Sequence, residues 1–295
     1  VVNLDGGDDS VELAAGASTA SLINVETITG TFAGETLTLQ NNLTGVAVDF
    51  GAGSDALNLA GGSNTISVTD VEAIAGSTGC DVLNLTNAQA GTAIDLGADS
   101  DALNLTTGDN TVTATNAETI TAAVGNDTVT LGTAQASGDI DLGAGNDTLN
   151  VAAGSTTLSV SNTESIAGTA VGDSLTLQNS QFGTAIDLGT GDDSLSLADG
   201  DNVVTVSNTE DIDGGSGCDA VTLGAPIVGG SIDLGAGNDS LTLADGTNAV
   251  TVSNTEVVTG GAGDDTVTVT GDVAADVSGG GGNDVIEGGS GNDHL

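Results

Sequence analysis

The sequence has no basic residues. It contains 295 residues, of which 42 are Asp or Glu, and no Lys or Arg. The negative charge must therefore be balanced by bound cations or by solvent, because no basic side chain except the single His can pair with it. Nucleic acids and anionic membrane surfaces are bound through Lys and Arg, so the composition argues against both as partners. A charge of this size opposes compaction by self-repulsion, and we expect folding to depend on cations.

Large aromatic residues and helix-favouring composition are also lacking. There is no Trp, Tyr or Met, and there are only three Phe and one Pro, whereas Gly contributes 47 residues. The apolar side chains are almost all Val, Leu, Ile and Ala, and the hydrophobic fraction of 38% separates the chain from acidic disordered segments. Val and Thr favour strands, so we expect an all-β fold with almost no helix. No apolar run approaches the roughly 18 residues of a membrane span.

A repeat of 46 residues organises the chain. The stretch IDLGAGNDSLTL, which begins at Ile232, recurs with variation at this spacing, and so do two further acidic positions. The second Asp of this stretch falls at Asp9, Asp55, Asp101, Asp147, Asp193 and Asp239. The glutamates of an NTE motif are Glu26, Glu72, Glu118, Glu164, Glu210 and Glu256. A second series of turn acids is Glu35, Asp81, Asp127, Asp173, Asp219 and Asp265.

Apolar triplets such as LTL, VTV and IDL alternate in the manner of short strands. Strands this short must stack on copies of themselves, which predicts a parallel β-solenoid, either two-sided or three-sided. The NTE glutamates and a further series of Asp residues that contains Asp49, each repeating every 46 residues, are offset from one another by 23 residues. We therefore predict two coils of about 23 residues in each repeat. We expect residues 1–295 to form a single continuous solenoid. Because its first residues already match the middle of a repeat, we expect the chain to be a processed or excised piece of a longer protein.

Four glycine-rich stretches carry a family resemblance. They are GGSGCDAVT from Gly214, GGAGDDTVT from Gly260, GGGGNDVIE from Gly279 and GGSGNDHL from Gly288, and the last two form a plain nonapeptide tandem over residues 279–295. They resemble the GGxGxDxUx nonapeptide of repeats-in-toxin (RTX) proteins, and sparser versions cover nearly the whole chain. The resemblance is closest to bacterial surface-layer and fibrous extracellular members. It implies a right-handed β-roll or β-helix in which Ca²⁺ lies between stacked turns.

Calcium suits these turns because Gly lets backbone carbonyls point inward while Asp adds a carboxylate, and Ca²⁺ prefers such hard oxygen ligands. If all the turns lie on one edge, up to about 13 ions could bind between them. We expect weaker sites where Glu35 replaces Asp and where Asp99 and Val171 replace Gly. The predicted carboxylate ligands are Asp9, Asp55, Asp101, Asp147, Asp193, Asp239, Asp284, Asp81, Asp127, Asp173, Asp219, Asp265 and Asp293. The predicted carbonyl ligands are Gly53, Gly145, Gly191, Gly237, Gly215, Gly217, Gly261, Gly263, Gly280 and Gly282.

Other side chains have simpler interpretations. The Glu26 and Asp49 columns are expected to form one outward ladder, which either binds a second row of cations or extends into water. Cys80 and Cys218 lie three repeats apart, beyond disulfide reach in a regular solenoid, and are either free thiols or links to a neighbouring chain. We interpret His294 as incidental. The row that begins at Asn24 is expected to be a ladder of turn residues.

Nothing unique interrupts the repeat as an active site would, so we expect no enzymatic activity. The preferred hypothesis is a secreted, calcium-binding structural protein of an extracellular or cell-surface assembly, which self-associates end to end or side by side. The surface layer, sheath, fibre and adhesin stalk all belong to this class. The alternative is a calcium-triggered secretion and folding module of a larger exported enzyme or toxin. A lesser alternative is an ice-binding or adhesin repeat region.

Overall fold

The computed structural model describes residues 1–4 and 6–295, and all regular elements in these residues are β-strands. Helix is absent from them, as the composition predicts, and none of them forms a helix that could cross a membrane. The chain divides into two compact units, residues 1–149 and residues 150–295, which are described separately. One continuous solenoid over residues 1–295 stays a prediction.

The strands are short and follow one another closely in both units. In the first unit they are β1 Val2–Asn3, β2 Ser10–Glu12, β3 Thr19–Ile23, β4 Thr27–Thr31, β5 Thr36–Leu39, β6 Thr44–Gly51, β7 Ala56–Asn58, β8 Thr65–Thr69, β9 Ala73–Thr78, β10 Val82–Leu85, β11 Ala90–Ala98, β12 Ala102–Asn104, β13 Thr111–Thr115, β14 Thr119–Thr121, β15 Thr128–Leu131 and β16 Gly138–Asp141. The division falls within β17, Thr148–Asn150. In the second unit they are β18 Thr157–Ser161, β19 Ser165–Thr169, β20 Ser174–Leu177, β21 Phe182–Gly189, β22 Ser194–Ser196, β23 Val203–Ser207, β24 Asp211–Asp213, β25 Ala220–Leu223, β26 Val228–Asp233, β27 Ser240–Thr242, β28 Ala249–Ser253, β29 Val257–Thr259, β30 Thr266–Thr270, β31 Asp276–Ser278 and β32 Val285–Glu287.

Each unit is a two-sided solenoid. In the first unit, the odd-numbered strands from β1 to β15 form one parallel sheet and the even-numbered strands from β2 to β16 form the other. In the second unit, β19 to β31 and β18 to β32 are ordered in the same way. The chain therefore alternates between two sheets, one strand at a time. The predicted parallel β-solenoid is confirmed, and of the two cross-sections it is the two-sided one.

The prediction of two equal coils in each repeat is wrong. Successive strands of one sheet are closer in sequence than half a repeat: Thr19 pairs with Thr36, and Thr36 pairs with Ala56. The reason is that each repeat contains five strands, as in β7 to β11, and not an even number. A given motif consequently changes sheet from one repeat to the next. Leu57 lies in β7 of the odd sheet, whereas its counterpart Leu103 lies in β12 of the even sheet.

The core lies between the two sheets of each unit and is built from aligned aliphatic side chains. In the first unit Leu37, Leu57, Ile74 and Ile94 occupy consecutive paired positions and are almost fully buried. Burying each such side chain contributes about 1.5–3 kcal/mol. Residues on either side of each inward position point outward, and most of them are Thr, Ser, Ala or Asn. The packing holds successive turns in register, which fixes the positions of the turn acids.

Candidate metal centres

The turn acids lie immediately before strands, and we call the residue in this position the ladder residue of its turn. Its side chain reaches the neighbouring coil. Asp81 donates its backbone N–H to Oδ1 of Asp101 at 2.7 Å, and Asp219 donates to Oδ1 of Asp239 at 2.7 Å. In each unit the turns form two stacks, because those before odd strands and those before even strands lie on opposite edges of its sheets. We call these the odd edge and the even edge.

The predicted carboxylate ligands all lie in these stacks, but not in one row. This corrects the expectation of a single edge with up to about 13 ions, because a repeat of five strands moves each motif to the other edge. In the first unit, Asp55, Asp127 and Asp147 lie on the odd edge, and Asp9, Asp81 and Asp101 lie on the even edge. In the second unit, Asp219, Asp239 and Asp293 lie on the odd edge, and Asp173, Asp193, Asp265 and Asp284 lie on the even edge.

The acids are grouped in short runs because the NTE glutamates are also ladder residues. Glu72 Oε2 accepts the backbone N–H of Asp55 at 2.7 Å, and Glu256 Oε2 accepts that of Asp239 at 2.6 Å. The result is a set of three-turn runs, which we call acidic trios. They are Glu35–Asp55–Glu72 and Asp81–Asp101–Glu118 in the first unit, and Asp173–Asp193–Glu210 and Asp219–Asp239–Glu256 in the second.

The outward ladder predicted from Glu26 and Asp49 does not form. Glu26 is a ladder residue that accepts the N–H of Asp9 at 2.8 Å, whereas Asp49 lies within β6, paired with Thr29 and Thr69. Sequence reasoning therefore missed the glutamates as members of the turn stacks. Their position directly before a strand, shared with the turn aspartates, was the available signal.

In nine of the turn aspartates, the second carboxylate oxygen has no hydrogen-bond partner. In each of them Oδ1 accepts a backbone hydrogen bond from the neighbouring coil, while Oδ2 is buried and accepts none. The side chains concerned are at most 2% exposed. They are Asp55, Asp81, Asp101, Asp127, Asp173, Asp193, Asp219, Asp239 and Asp265. An unpaired buried charge is strongly destabilising, so these turns need either a proton or a cation.

Burial raises the pKa of several of these carboxyls. For Asp55 and Asp101, desolvation is the main cause, and together with the neighbouring acids it raises the pKa from 3.8 to about 6, against a backbone hydrogen bond that lowers it. Desolvation likewise raises the pKa of Asp173, Asp193, Asp219 and Asp239. The metal-free turns thus hold their charge unfavourably.

Glycine allows two oxygens from different turns to converge. A Cβ atom placed on Gly237 would collide with the carbonyl oxygen of Gly217 in the preceding coil and lie 2.8 Å from Oδ1 of Asp239. A Cβ on Gly53 would lie 2.7 Å from the Ala33 carbonyl oxygen and 2.9 Å from Oδ2 of Asp55. Carbonyl and carboxylate oxygens from adjacent turns therefore border the same small space, and this all-oxygen set fits Ca²⁺.

The remaining predicted glycines also lie in the turns. Gly145 is close to the carbonyl of Gly125 and to Oδ1 of Asp147, whereas Gly191 abuts backbone atoms of Val171 and Gly172. Left-handed backbone is found at Gly215, Gly217, Gly263, Gly280 and Gly282, and Gly261 lies against the Ala244 carbonyl. Among residues 1–4 and 6–295, no three Asp, Glu, His or Cys side chains converge on one point. A cation in these turns would accordingly depend on backbone carbonyls for part of its ligand set.

The three positions predicted as weak differ visibly from the others. Both carboxylate oxygens of Glu35 contact Thr31 of its own turn, at 2.5 and 3.4 Å. Asp99 adopts a left-handed φ of 93° and accepts the N–H of Gly79 through Oδ2. Val171 is 43% exposed. Weaker ion binding at these turns stays a prediction.

Residues outside the stacks have structural roles. The predicted turn ladder has left-handed φ between 48° and 55°, and its side chains bond to the neighbouring coil, as in the 2.7 Å contact from Asn208 Nδ2 to Asp187 Oδ1. Cys80 and Cys218 are exposed free thiols. His294 Nδ1 lies 3.0 Å from Oδ1 of Asp276 at the surface. The row of left-handed turn residues, which is distinct from the ladder residues, consists of Asn24, Asp70, Asn116, Asn162, Asn208 and Asn254.

Comparison with known proteins gives no relative for this chain: no protein-family model, curated protein or solved structure matches it.

Proposed function

We propose that the chain is a non-catalytic, calcium-dependent structural protein of an extracellular assembly. The observation that carries this proposal is the set of buried, unpartnered Oδ2 atoms in stacked turns of a chain without Lys or Arg. A bound cation would compensate these oxygens while the carboxylates stay ionised. The turn chemistry, with Gly carbonyls beside Asp carboxylates, supports Ca²⁺ over softer metals.

The calcium dependence supports a location outside the cell. Sites with affinities in the millimolar to submillimolar range are typical of extracellular modules, where calcium is abundant. Ion binding would there be coupled to folding, since a site assembled from separate turns does not exist in the unfolded chain. The resemblance of the turns to RTX nonapeptides supports the same proposal.

Circular dichroism of the full chain in calcium and in chelator, at low salt, tests the calcium dependence. The strand signal should be present with calcium and lost in chelator. A strand signal that persists after complete calcium removal would overturn the proposal.

Electron microscopy of the calcium-loaded protein tests the structural role. We expect filaments or sheets, formed by end-to-end or side-by-side contact between chains, because parallel sheets of this kind expose strand edges that can pair with another copy. A strictly monomeric particle at high protein concentration would count against an assembly role while leaving calcium binding intact.

A further inference from the structure

Four ladder residues are neutral asparagines, and their turns differ chemically from the aspartate turns. They are buried, at most 1% exposed, and each precedes a strand. Each receives a backbone N–H on its Oδ1 from the preceding coil, as the aspartates do: Ile227 donates to Asn248 Oδ1 at 3.1 Å. Oδ1 of Asn and Oδ1 of Asp therefore have the same role. The four residues are Asn64, Asn110, Asn202 and Asn248.

The other atom of the amide has partners that the aspartate Oδ2 lacks. Asn248 Nδ2 donates to the carbonyl oxygens of Ala244 at 2.9 Å and Gly246 at 3.1 Å, which are four and two residues earlier in its own turn. It also donates to Oδ1 of Asp265 in the next coil, at 2.9 Å. The same contacts are made in all four asparagine turns: Nδ2 donates to the carbonyl oxygens four and two residues earlier. In each turn Nδ2 also donates to Oδ1 of the next ladder residue, which is Asp81, Asp127, Asp219 or Asp265.

The comparison with the adjacent aspartate turn is close. The Asn248 and Asp265 turns both have a left-handed Gly two residues before the ladder residue, Gly246 and Gly263, with φ of 116° and 142°. Oδ2 of Asp265 is the counterpart of Nδ2 of Asn248, but it is an acceptor with no donor. An amide nitrogen thus supplies in one turn the positive group that the other turn lacks.

We propose that the turns ending at Asn64, Asn110, Asn202 and Asn248 bind no cation, and that each separates one short row of bound cations from the next along its edge. This inference rests on the proposed calcium binding and specifies which turns take part. The cation rows then coincide with the acidic runs, such as Asp219–Asp239–Glu256, which follows Asn202. The Nδ2 group pairs with the turn carbonyls directly, so an asparagine turn needs no metal to satisfy its polar groups.

Two reciprocal substitutions in the full chain test the proposal. Asn248→Asp replaces the donor by an oxygen and should create a site, so the variant should bind one calcium ion more per chain than the wild type. Asp265→Asn should bind one ion fewer. Thr247→Asp is the matched control, because it adds the same charge at an exposed position of the same turn. The equivalent positions before Asn110 and Asn202 are already occupied by Asp109 and Asp201. It should leave the ion count unchanged.

Bound calcium is counted by atomic emission after equilibrium dialysis, and circular dichroism checks folding. In chelator, Asn248→Asp should need a higher trimethylamine N-oxide concentration to fold than the wild type, and saturating calcium should remove the difference. An unchanged ion count in Asn248→Asp, or failure of this variant to fold in saturating calcium, overturns the inference while wild-type calcium binding keeps the proposed function. Absence of calcium binding by the wild type overturns both.

Discussion

The substitution Asp101→Asn should change stability in opposite directions with and without calcium. Asp101 is the central residue of an acidic trio, flanked by Asp81 and Glu118. Its Oδ1 accepts the Asp81 N–H, and its Oδ2 is buried without a partner. Asparagine keeps the Oδ1 acceptor and replaces Oδ2 by a donor, so the variant loses a buried charge without losing the backbone hydrogen bond.

The size of the effect follows from the raised pKa. A change from 3.8 to about 6 corresponds to about 3 kcal/mol at neutral pH, at about 1.4 kcal/mol per pH unit. Solvent near the turn reduces this to about 2 kcal/mol of stabilisation in the metal-free chain. With calcium at about a thousand times its dissociation constant, one lost ion costs about 4.1 kcal/mol. The calcium-loaded variant should therefore be destabilised by the difference, about 2 kcal/mol.

Two titrations measure the two signs. In chelator, the trimethylamine N-oxide concentration needed to fold the chain should be lower for Asp101→Asn than for the wild type. In saturating calcium, the urea midpoint should be lower for the variant. Asp139→Asn serves as the control, because it removes an exposed charge of β16 and should shift both midpoints only slightly. Equal destabilisation of both states by Asp101→Asn would refute the cation argument and leave only a packing defect.

Three further predictions concern pH, glycine and cysteine. The pKa values of Asp55 and Asp101 are raised to about 6, so the folded metal-free chain binds more protons than the unfolded chain between about pH 4 and 6. Its stability should therefore rise as the pH falls through this range. Circular dichroism in chelator measures the folded fraction, and a decrease in that fraction at lower pH would contradict the prediction. Calcium affinity should fall over the same range, because protons compete for the carboxylates. Gly237→Ala should lower the free energy of unfolding by about 1–3 kcal/mol and the number of bound calcium ions by one, as measured by urea titration and equilibrium dialysis. Gly281→Ala, where a Cβ meets no atom within 4 Å, should change neither the free energy of unfolding nor the ion count. Cys80 and Cys218 should both react with a maleimide in the folded, calcium-loaded chain, and mass spectrometry that finds either thiol blocked would contradict free exposure.

The fold was predictable because its signals are local and repeated. Triplets such as those around Leu57 and Val68 alternate with a period of two, and one strand's pattern is repeated in every copy. The turn acids were predictable for the same reason, since an Asp after a Gly-rich turn carries its own chemistry. What these signals determine is the type of element and the residue that ends each turn.

The coil length and the stacking partners were not predictable in the same way. The half-repeat offset between Glu26 and Asp49 suggested two equal coils, but it joins a ladder residue to a strand residue that does not stack on it. Which turn lies beside which depends on the number of strands per repeat, and that number depends on whether each short triplet crosses to the other sheet. The roles of Glu72 and Asn64 depend on this non-local register, so they became visible only in the structure.

Deletions distinguish the five-strand repeat from a repeat of two equal coils. Removal of residues 203–248, one full repeat, joins Asn202 to Ala249, so that β28 still follows an asparagine ladder residue and every later strand keeps its turn while changing sheet. This variant should fold in calcium with a cooperative urea transition. Removal of residues 226–248, half a repeat, leaves only Gly224 and Ala225 between β25 and β28, with no ladder residue to bond to the preceding coil. If each coil were half a repeat, the chain would tolerate this second deletion at least as well as the first. The five-strand register instead predicts a lower urea midpoint for the half-repeat deletion than for the full one, although the latter removes twice as much chain; the reverse order would refute the register.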